Sequence, residues 1–67
     1  MRLTQFWEHM EETFGAAYAR SVADDQVLPQ LRGRTVNQAI ADGDNVKSVW
    51  VAVCQAYDDR VPSRIRR

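Results

Sequence analysis

The only cysteine and the only histidine of this 67-residue sequence, Cys54 and His9, form the one thiol–imidazole pair that nucleophilic catalysis could use. Activation would require the two side chains to meet and the thiol to be accessible. Cys54 lies at the margin of an apolar helical stripe, where a semi-buried structural cysteine is the commoner outcome. His9 lies at the edge of another such stripe, which favours a solvent-edge histidine with local contacts. One cysteine and one histidine also exclude a zinc site with four ligands of these types. We expect no catalytic residue, no metal and no cofactor.

Three pairs of neighbouring carboxylates are the other candidates for acid–base chemistry. They are Glu8 with Glu12, Asp24 with Asp25, and Asp58 with Asp59. Acid–base work requires surroundings that desolvate one carboxylate and separate the two pKa values. The Glu pair instead lies on the polar face of a predicted helix, and the Asp pairs lie at predicted helix ends. We interpret all three pairs as solvated side chains.

The segment between Thr35 and Cys54 has the spacing of a helix-turn-helix unit. In that pattern a small residue packs, a glycine turns the chain and an apolar residue locks the second helix. Ala39, Gly43 and Val49 stand at those positions. Two short helices joined by glycine are also common for packing reasons alone.

Base contacts in such a unit would come from the front of its second helix, from Asn45, Lys47, Trp50, Val51 and Cys54. Only Lys47 among them is basic, and Trp50 also fits the core stripe. Asp42 and Asp44 stand where phosphates would approach. A weak DNA binder that uses the 35–57 helix pair is therefore the alternative function and not the first expectation.

Nine basic and nine acidic side chains give zero net charge, but they are unevenly distributed. Residues 1–28 carry two basic and five acidic side chains, and residues 29–67 carry seven and four. This asymmetry can orient a partner but falls short of the basic stripe of a dedicated nucleic-acid binder. If the later arginines converge, they could hold an acidic protein surface or a phosphate; separate exposed arginines are the commoner case. They are Arg32, Arg34, Arg60, Arg64, Arg66 and Arg67.

Length and composition indicate one small globular domain. Hydrophobic residues make up 45% and charged residues 27% of the chain, close to ordinary globular values. No apolar run is long enough for a membrane span, and the first residues lack the apolar region of a secretory signal. We expect a cytoplasmic protein without membrane contact, with a helical domain over 1–60 and a frayed basic tail over 61–67.

Helical periodicity predicts an all-α fold of four helices around one hydrophobic core. One longer outer helix follows a cap at Thr4 and ends at Phe14, and the other covers 46–57; a second helix over 16–27 and a short third helix over 36–42 lie between them in the sequence. Caps are expected at Thr4, Thr35 and Asn45, and glycine stops at Gly15 and Gly43. The predicted core comprises Phe6, Trp7, Met10, Phe14, Tyr18, Val22, Ile40, Val49, Trp50 and Val53. Leu28 and Leu31, in the connection, are expected to tuck into it.

Nearly the whole chain resembles a family of short actinobacterial proteins of unknown function (domain of unknown function 3046). The resemblance rests on the opening Met1–Trp7, the junction Gly15–Ala19, the segments Asp25–Leu28 and Gly33–Val36 with Ala39 and Gly43, and Val49–Cys54. Where the family more often has Asp-Pro, this chain has Asn45-Val46, which weakens a cap without removing it. The family has no assigned activity, so the resemblance implies no site residues. Genes of the family lie near those of a DNA recombinase and its regulator, which implies a DNA-repair or recombination context.

The sequence therefore predicts a non-catalytic protein-interaction or accessory module. It would use the acidic first helix or the later arginines, with an unknown protein as partner and no small-molecule ligand. Nucleic-acid binding through the 35–57 helix pair is the alternative.

Overall fold

The computed structural model describes residues 1–66 and is mostly helical. Its four helices are α1 (Leu3–Phe14), α2 (Ala16–Asp25), α3 (Val36–Ala41) and α4 (Val46–Ala56), with short 3-10 turns at Pro29–Leu31 and Ser63–Ile65. The four predicted helices are confirmed. The all-α label needs one correction, because Leu28 and Arg34 form a small antiparallel β pair. The 3-10 turn reverses the chain, so the Leu28 N–H reaches the Arg34 carbonyl at 3.1 Å.

Gly15 ends α1 and begins α2 with no loop between them. Its φ of +87° lies in the region that favours glycine. Its N–H donates to the Glu11 carbonyl at 2.8 Å, and its own carbonyl accepts from Ala19 at 2.9 Å. The predicted glycine stop is confirmed, and it folds α2 back against α1.

The α3–α4 connection uses the predicted caps. Thr35 accepts from the Gln38 N–H at 3.1 Å while its own N–H donates to the Gln38 side chain at 2.9 Å, which is a complete capping box. Gly43 (φ +88°) then follows the end of α3 in a Schellman arrangement, in which it donates to Ile40 at 3.0 Å. The Asn45 side chain accepts hydrogen bonds from backbone N–H groups in the first turn of α4.

The predicted cap at Thr4 is wrong, because α1 begins one residue before it. Arg2 is the residue that precedes the helix, and its N–H donates to the Gln5 side chain at 3.3 Å. Thr4 is exposed within the first turn. The Gln5 side chain, inside the helix, accepts the Arg2 N–H, so the hydroxyl of Thr4 is not needed as a cap.

Trp50 lies at the centre of the core and is 0% exposed. Its ring packs edge-on against Phe6 of α1, with centroids 6.0 Å apart, and lies 5.2 Å from the ring of His9. Its indole N–H donates to the Ile65 carbonyl at 3.0 Å, which satisfies the buried donor. One side chain thus joins α1, α4 and the C-terminal segment.

The core differs from the predicted one mainly on α2. Tyr18 is 51% exposed, which contradicts its predicted place in the core, whereas Ala19 and Ala23 are fully buried. The residues that α2 buries are thus Ala19, Val22 and Ala23, and Tyr18 lies outside this set. Trp7, Phe14 and Ile40 are only partly buried at the edge of the core. Core residues that the predicted set omitted also include Ala52, Cys54 and Val61; Val36 and Ala39 of α3 are buried, and Leu28 and Leu31 are buried as expected.

The segment after α4 makes contacts that a frayed tail would lack. Val61 is 4% exposed. Arg64 pairs with Glu12 of α1, and Arg66 pairs with Asp58 and reaches the Val61 carbonyl at 3.3 Å. Apolar burial and the indole hydrogen bond to Ile65 therefore hold residues 61–66 to the domain. Arg67, the last residue of the predicted tail, lies outside the described residues.

Arg34 joins the 28–34 turn to the α3–α4 connection. It donates to Asp42 at 3.0 Å and in a two-pronged contact to Asp44 at 3.2 and 2.5 Å, and its Nε donates to the Leu31 carbonyl at 2.9 Å. The hydrogen bonds from Arg34 lower the pKa of the Asp44 carboxyl below its ordinary value. The hydrogen bonds to Asp44 and then to Asp42 raise the pKa of the Arg34 guanidinium.

Replacement of Trp50 by alanine is expected to lower the free energy of unfolding by about 3–5 kcal/mol, because it removes a fully buried ring. Total stability for 67 residues is on the order of 3–10 kcal/mol, so W50A should be largely unfolded or close to it. The matched variant W7A removes a partly buried ring and should cost roughly half as much. Urea unfolding followed by circular dichroism measures both. A W7A loss as large as that of W50A would contradict this assignment.

The Arg34–Asp44 contact predicts a stability change in acid. Because the folded pKa of Asp44 is depressed, its contribution is present above the unfolded value of about 3.9 and is lost as the pH falls through the folded pKa. The variant D44N should therefore be less stable than wild type at pH 7, and the difference should shrink below about pH 4. Urea unfolding at pH 7, 4 and 3 measures this, with D59N as an exposed control. A difference that stays constant with pH would contradict it.

Candidate interaction surface

Cys54 and His9, the predicted thiol–imidazole candidates, both serve the packing of the domain. Cys54 is 7% exposed in the buried layer of α4, so its thiol lacks the accessibility that a nucleophile needs. The His9 ring is partly buried against Trp50, at an interplanar angle of 37°. Its Nδ1 is buried and has no hydrogen-bond partner among residues 1–66. The histidine thus lies deeper than the solvent edge expected for it.

Members of the three carboxylate pairs lie on the surface, and several make local contacts. Glu12 pairs with Arg64, Asp58 pairs with Arg66, and Asp24 accepts a hydrogen bond from the Asn37 amide. Within residues 1–66, no group of three or more His, Cys, Asp or Glu side chains is placed to hold a metal ion.

The 35–57 helix pair has the turn of a helix-turn-helix unit but offers few side chains to a ligand. Ala39 and Val49 are fully buried, as the pattern expects. Two of the five side chains proposed for base contacts, Trp50 and Cys54, are also buried, and Asn45 caps its own helix. Lys47, Val51 and Asn45 are exposed.

The later arginines lie in separate local contacts. Arg34 is held by Asp42 and Asp44, Arg64 by Glu12, and Arg66 by Asp58. Arg60 lies 6.0 Å from the centroid of the Phe14 ring, and Arg32 is exposed in a left-handed conformation (φ +60°). Three of the six arginines proposed for an anion site are therefore paired with carboxylates within the domain.

A cluster of aromatic rings closes the end of the domain where α1 meets α2 and α4 ends. Phe14 packs edge-on against Tyr57 at 5.0 Å and against Tyr18 at 6.1 Å. Burial, with a smaller effect of Tyr18, raises the pKa of the Tyr57 phenol above its ordinary value. The exposed Tyr18 ring thus completes a packing contact at the rim of the core.

A groove lies on the α1–α2 face, on the acidic first helix that the sequence offers as one docking surface. It is an open depression of about 450 Å³ lined by Leu3, Thr4, Trp7, Glu8, Glu11 and Arg20. Leu3 is 45% exposed, and Trp7 is only partly buried. A second depression of about 440 Å³ adjoins it and shares Glu8 and Glu11. We call these two adjoining depressions the α1–α2 groove.

The α1–α2 groove contains both paired and unpaired charged residues, and Glu12 in its lining pairs with Arg64. Glu8, Glu11 and Arg20 have no ion-pair partner among residues 1–66. The sequence contains one signal for this surface. Leu3, Trp7 and Glu11 are spaced four residues apart, so they form a row along one side of the helix. This row begins with two apolar residues and ends with an acidic one, at the edge of the core stripe. Both apolar residues were attributed to that stripe, and Trp7 was predicted to lie in the core, although the structure leaves both partly open.

Comparison with known proteins adds a family and nothing further. Among residues 1–66, no helix has the length and apolar character needed to cross a bilayer. A search of curated proteins and a search of solved structures each found no match. A family model described as "Protein of unknown function (DUF3046)" matches residues 1–64, nearly the full chain. The chain therefore belongs to this family of proteins of unknown function.

Proposed function

We propose that this chain is a non-catalytic protein-interaction or accessory module that docks on a larger protein through the α1–α2 groove. The observation that carries the proposal is the groove itself, where Leu3 and Trp7 are open to solvent beside the unpaired Glu8 and Glu11. Apolar side chains within a charged rim are the usual composition of a protein-binding surface. A partly buried tryptophan in its lining suits an energetic anchor.

Several polar groups outside the groove are already engaged in contacts within the domain, and this supports the same proposal. Arg34, Arg64 and Arg66 are paired inside the domain, and Cys54 is buried. Groups engaged in this way are poorly available for a reaction or a small-molecule ligand. The unpaired glutamates of α1 are available for a partner. We place this module in the cytoplasm and, from the family resemblance, in a DNA-repair or recombination context.

DNA binding through the 35–57 helix pair is the second candidate, and Lys47 and Val51 are its exposed side chains. Asp42 and Asp44 lie beside the same turn, which disfavours approach by phosphates. Titration with duplex and single-stranded DNA at two salt concentrations separates the two candidates. The interaction proposal predicts no binding at low salt. Salt-sensitive binding that is lost in K47Q and R32Q would replace it with the second candidate.

Photo-crosslinking in the native host tests the proposal directly. A photoreactive phenylalanine analogue is placed at Thr4, which is exposed and lines the groove, and in separate proteins at Asp59 and Gln30, which are exposed elsewhere. We expect a discrete covalent adduct with another polypeptide from position 4 and none, or much less, from the other two. Circular dichroism checks that each protein is folded.

Two results of that experiment would overturn the proposal. The first is the absence of a polypeptide adduct at position 4. The second is an equal adduct pattern at all three positions, which would indicate chance encounters. An adduct at position 4 that persists when Leu3→Ala is added would show that the apolar row does not anchor the partner, which also counts against the groove.

A further inference from the structure

The floor of the α1–α2 groove presents its apolar and acidic side chains in two parallel rows. Leu3, Trp7 and Glu11 form one row and Thr4 with Glu8 forms the other, each at the four-residue spacing that aligns side chains along a helix. Only Ala16 and Arg20 of α2 line the opposite side. A shallow channel along a helix, with an apolar row and a charged margin, matches the mode in which an amphipathic helix lies in a groove.

The charges on the two margins are opposite and unequal. The α1 margin carries Glu8 and Glu11, and Glu12 lies beside them although it already pairs with Arg64. The α2 margin carries the single cation Arg20. An occupant with cations toward α1 and a carboxylate toward Arg20 would be complementary to both margins, and one with the reverse arrangement would be repelled from both.

An extended strand is a poorer occupant for this surface. Strand addition requires an exposed sheet edge with unpaired backbone groups. Within residues 1–66 the only β pairing is the single contact between Leu28 and Arg34, which lies outside the residues that line the groove. Side chains of two helices, and no backbone edge, therefore determine what can bind.

We infer that the occupant of the α1–α2 groove is an amphipathic helix of a partner protein, with apolar residues toward Leu3 and Trp7, lysine or arginine toward Glu8 and Glu11, and a carboxylate toward Arg20. This inference rests on the proposed function and specifies the partner class for the same surface. The charges set orientation and specificity, and the apolar row supplies the contact area.

A charge-swap experiment on the full chain tests the inference. The probes are two synthetic 18-residue helical peptides with the same leucine stripe. One peptide carries lysines on one flank of the stripe and a glutamate on the other. In its counterpart, each of these lysines is replaced by glutamate and the glutamate is replaced by lysine. The proteins are wild type, the double variant E8K/E11K and the matched control D25K/D59K. The control has the same change in net charge at exposed positions outside the groove.

Titration calorimetry at low and high salt should give a reciprocal pattern. Wild type and D25K/D59K should bind the lysine-flanked peptide at least about tenfold more tightly than its counterpart, and E8K/E11K should reverse that preference. The preference should weaken at high salt, because the rim charges are exposed. Leu3→Ala should weaken both peptides alike. Circular dichroism confirms folding, and E8Q/E11Q, which should weaken the preference without reversing it because Arg20 remains, gives a second test if the lysine variant is unfolded.

The inference fails if E8K/E11K keeps the wild-type preference, if D25K/D59K loses it equally, or if neither peptide binds wild type. In those cases a position-specific adduct at Thr4 would still support the proposed function, so the two can fail separately. Sedimentation of wild type alone tests self-association. A dimer that E8K/E11K dissociates and D25K/D59K does not would identify a second copy of this chain as the occupant and would overturn the inference.

Discussion

Burial of one indole ring, that of Trp50, holds the main parts of this small domain together. The ring contacts Phe6 and His9 of α1, and its N–H is satisfied by the Ile65 carbonyl beyond α4. A 67-residue chain with one cysteine has no disulfide of its own, so its stability depends on such contacts. The same burial removes Trp50 from any ligand-binding role on the 35–57 helix pair. The proposed docking surface therefore lies on another face, between α1 and α2.

The net charge is zero, but the acidic and basic side chains are not all paired with one another. Arg34, Arg64 and Arg66 pair with carboxylates that tie the turns and the C-terminal segment to the helices. Exposed pairs of this kind contribute little each, but they occupy the cations. Glu8 and Glu11 are left on the α1–α2 face beside Leu3 and Trp7. Neither glutamate has an ion-pair partner among residues 1–66, so the proposed partner of this face is one with complementary basic groups.

The sequence predicted the four helices, because three-and-four spacing, capping residues and glycine stops act over a few residues. Thr35, Asn45, Gly15 and Gly43 were all predictable in this way. Features that depend on close approach in space were not. On α2, Ala19, Val22 and Ala23 are buried while Tyr18 is exposed, and residues 61–66 are held in part by a hydrogen bond between Trp50 and Ile65, 15 residues apart. The apolar part of the candidate groove was missed for the same reason: periodicity assigns Trp7 to the core stripe but does not reveal that its ring stays partly exposed beside Arg20 of α2.

Trp50 closes the core, whereas Trp7 lines the proposed docking groove. The exchange of their indole N–H groups with deuterated water tests this difference most directly. Nuclear magnetic resonance resolves both signals in the wild-type protein. Trp50, fully buried and hydrogen-bonded to Ile65, should exchange slowly, whereas Trp7, partly exposed in the groove, should exchange within the first spectra. Rapid exchange of both, or protection of Trp7 alone, would contradict a core closed by Trp50 and a docking surface built on Trp7.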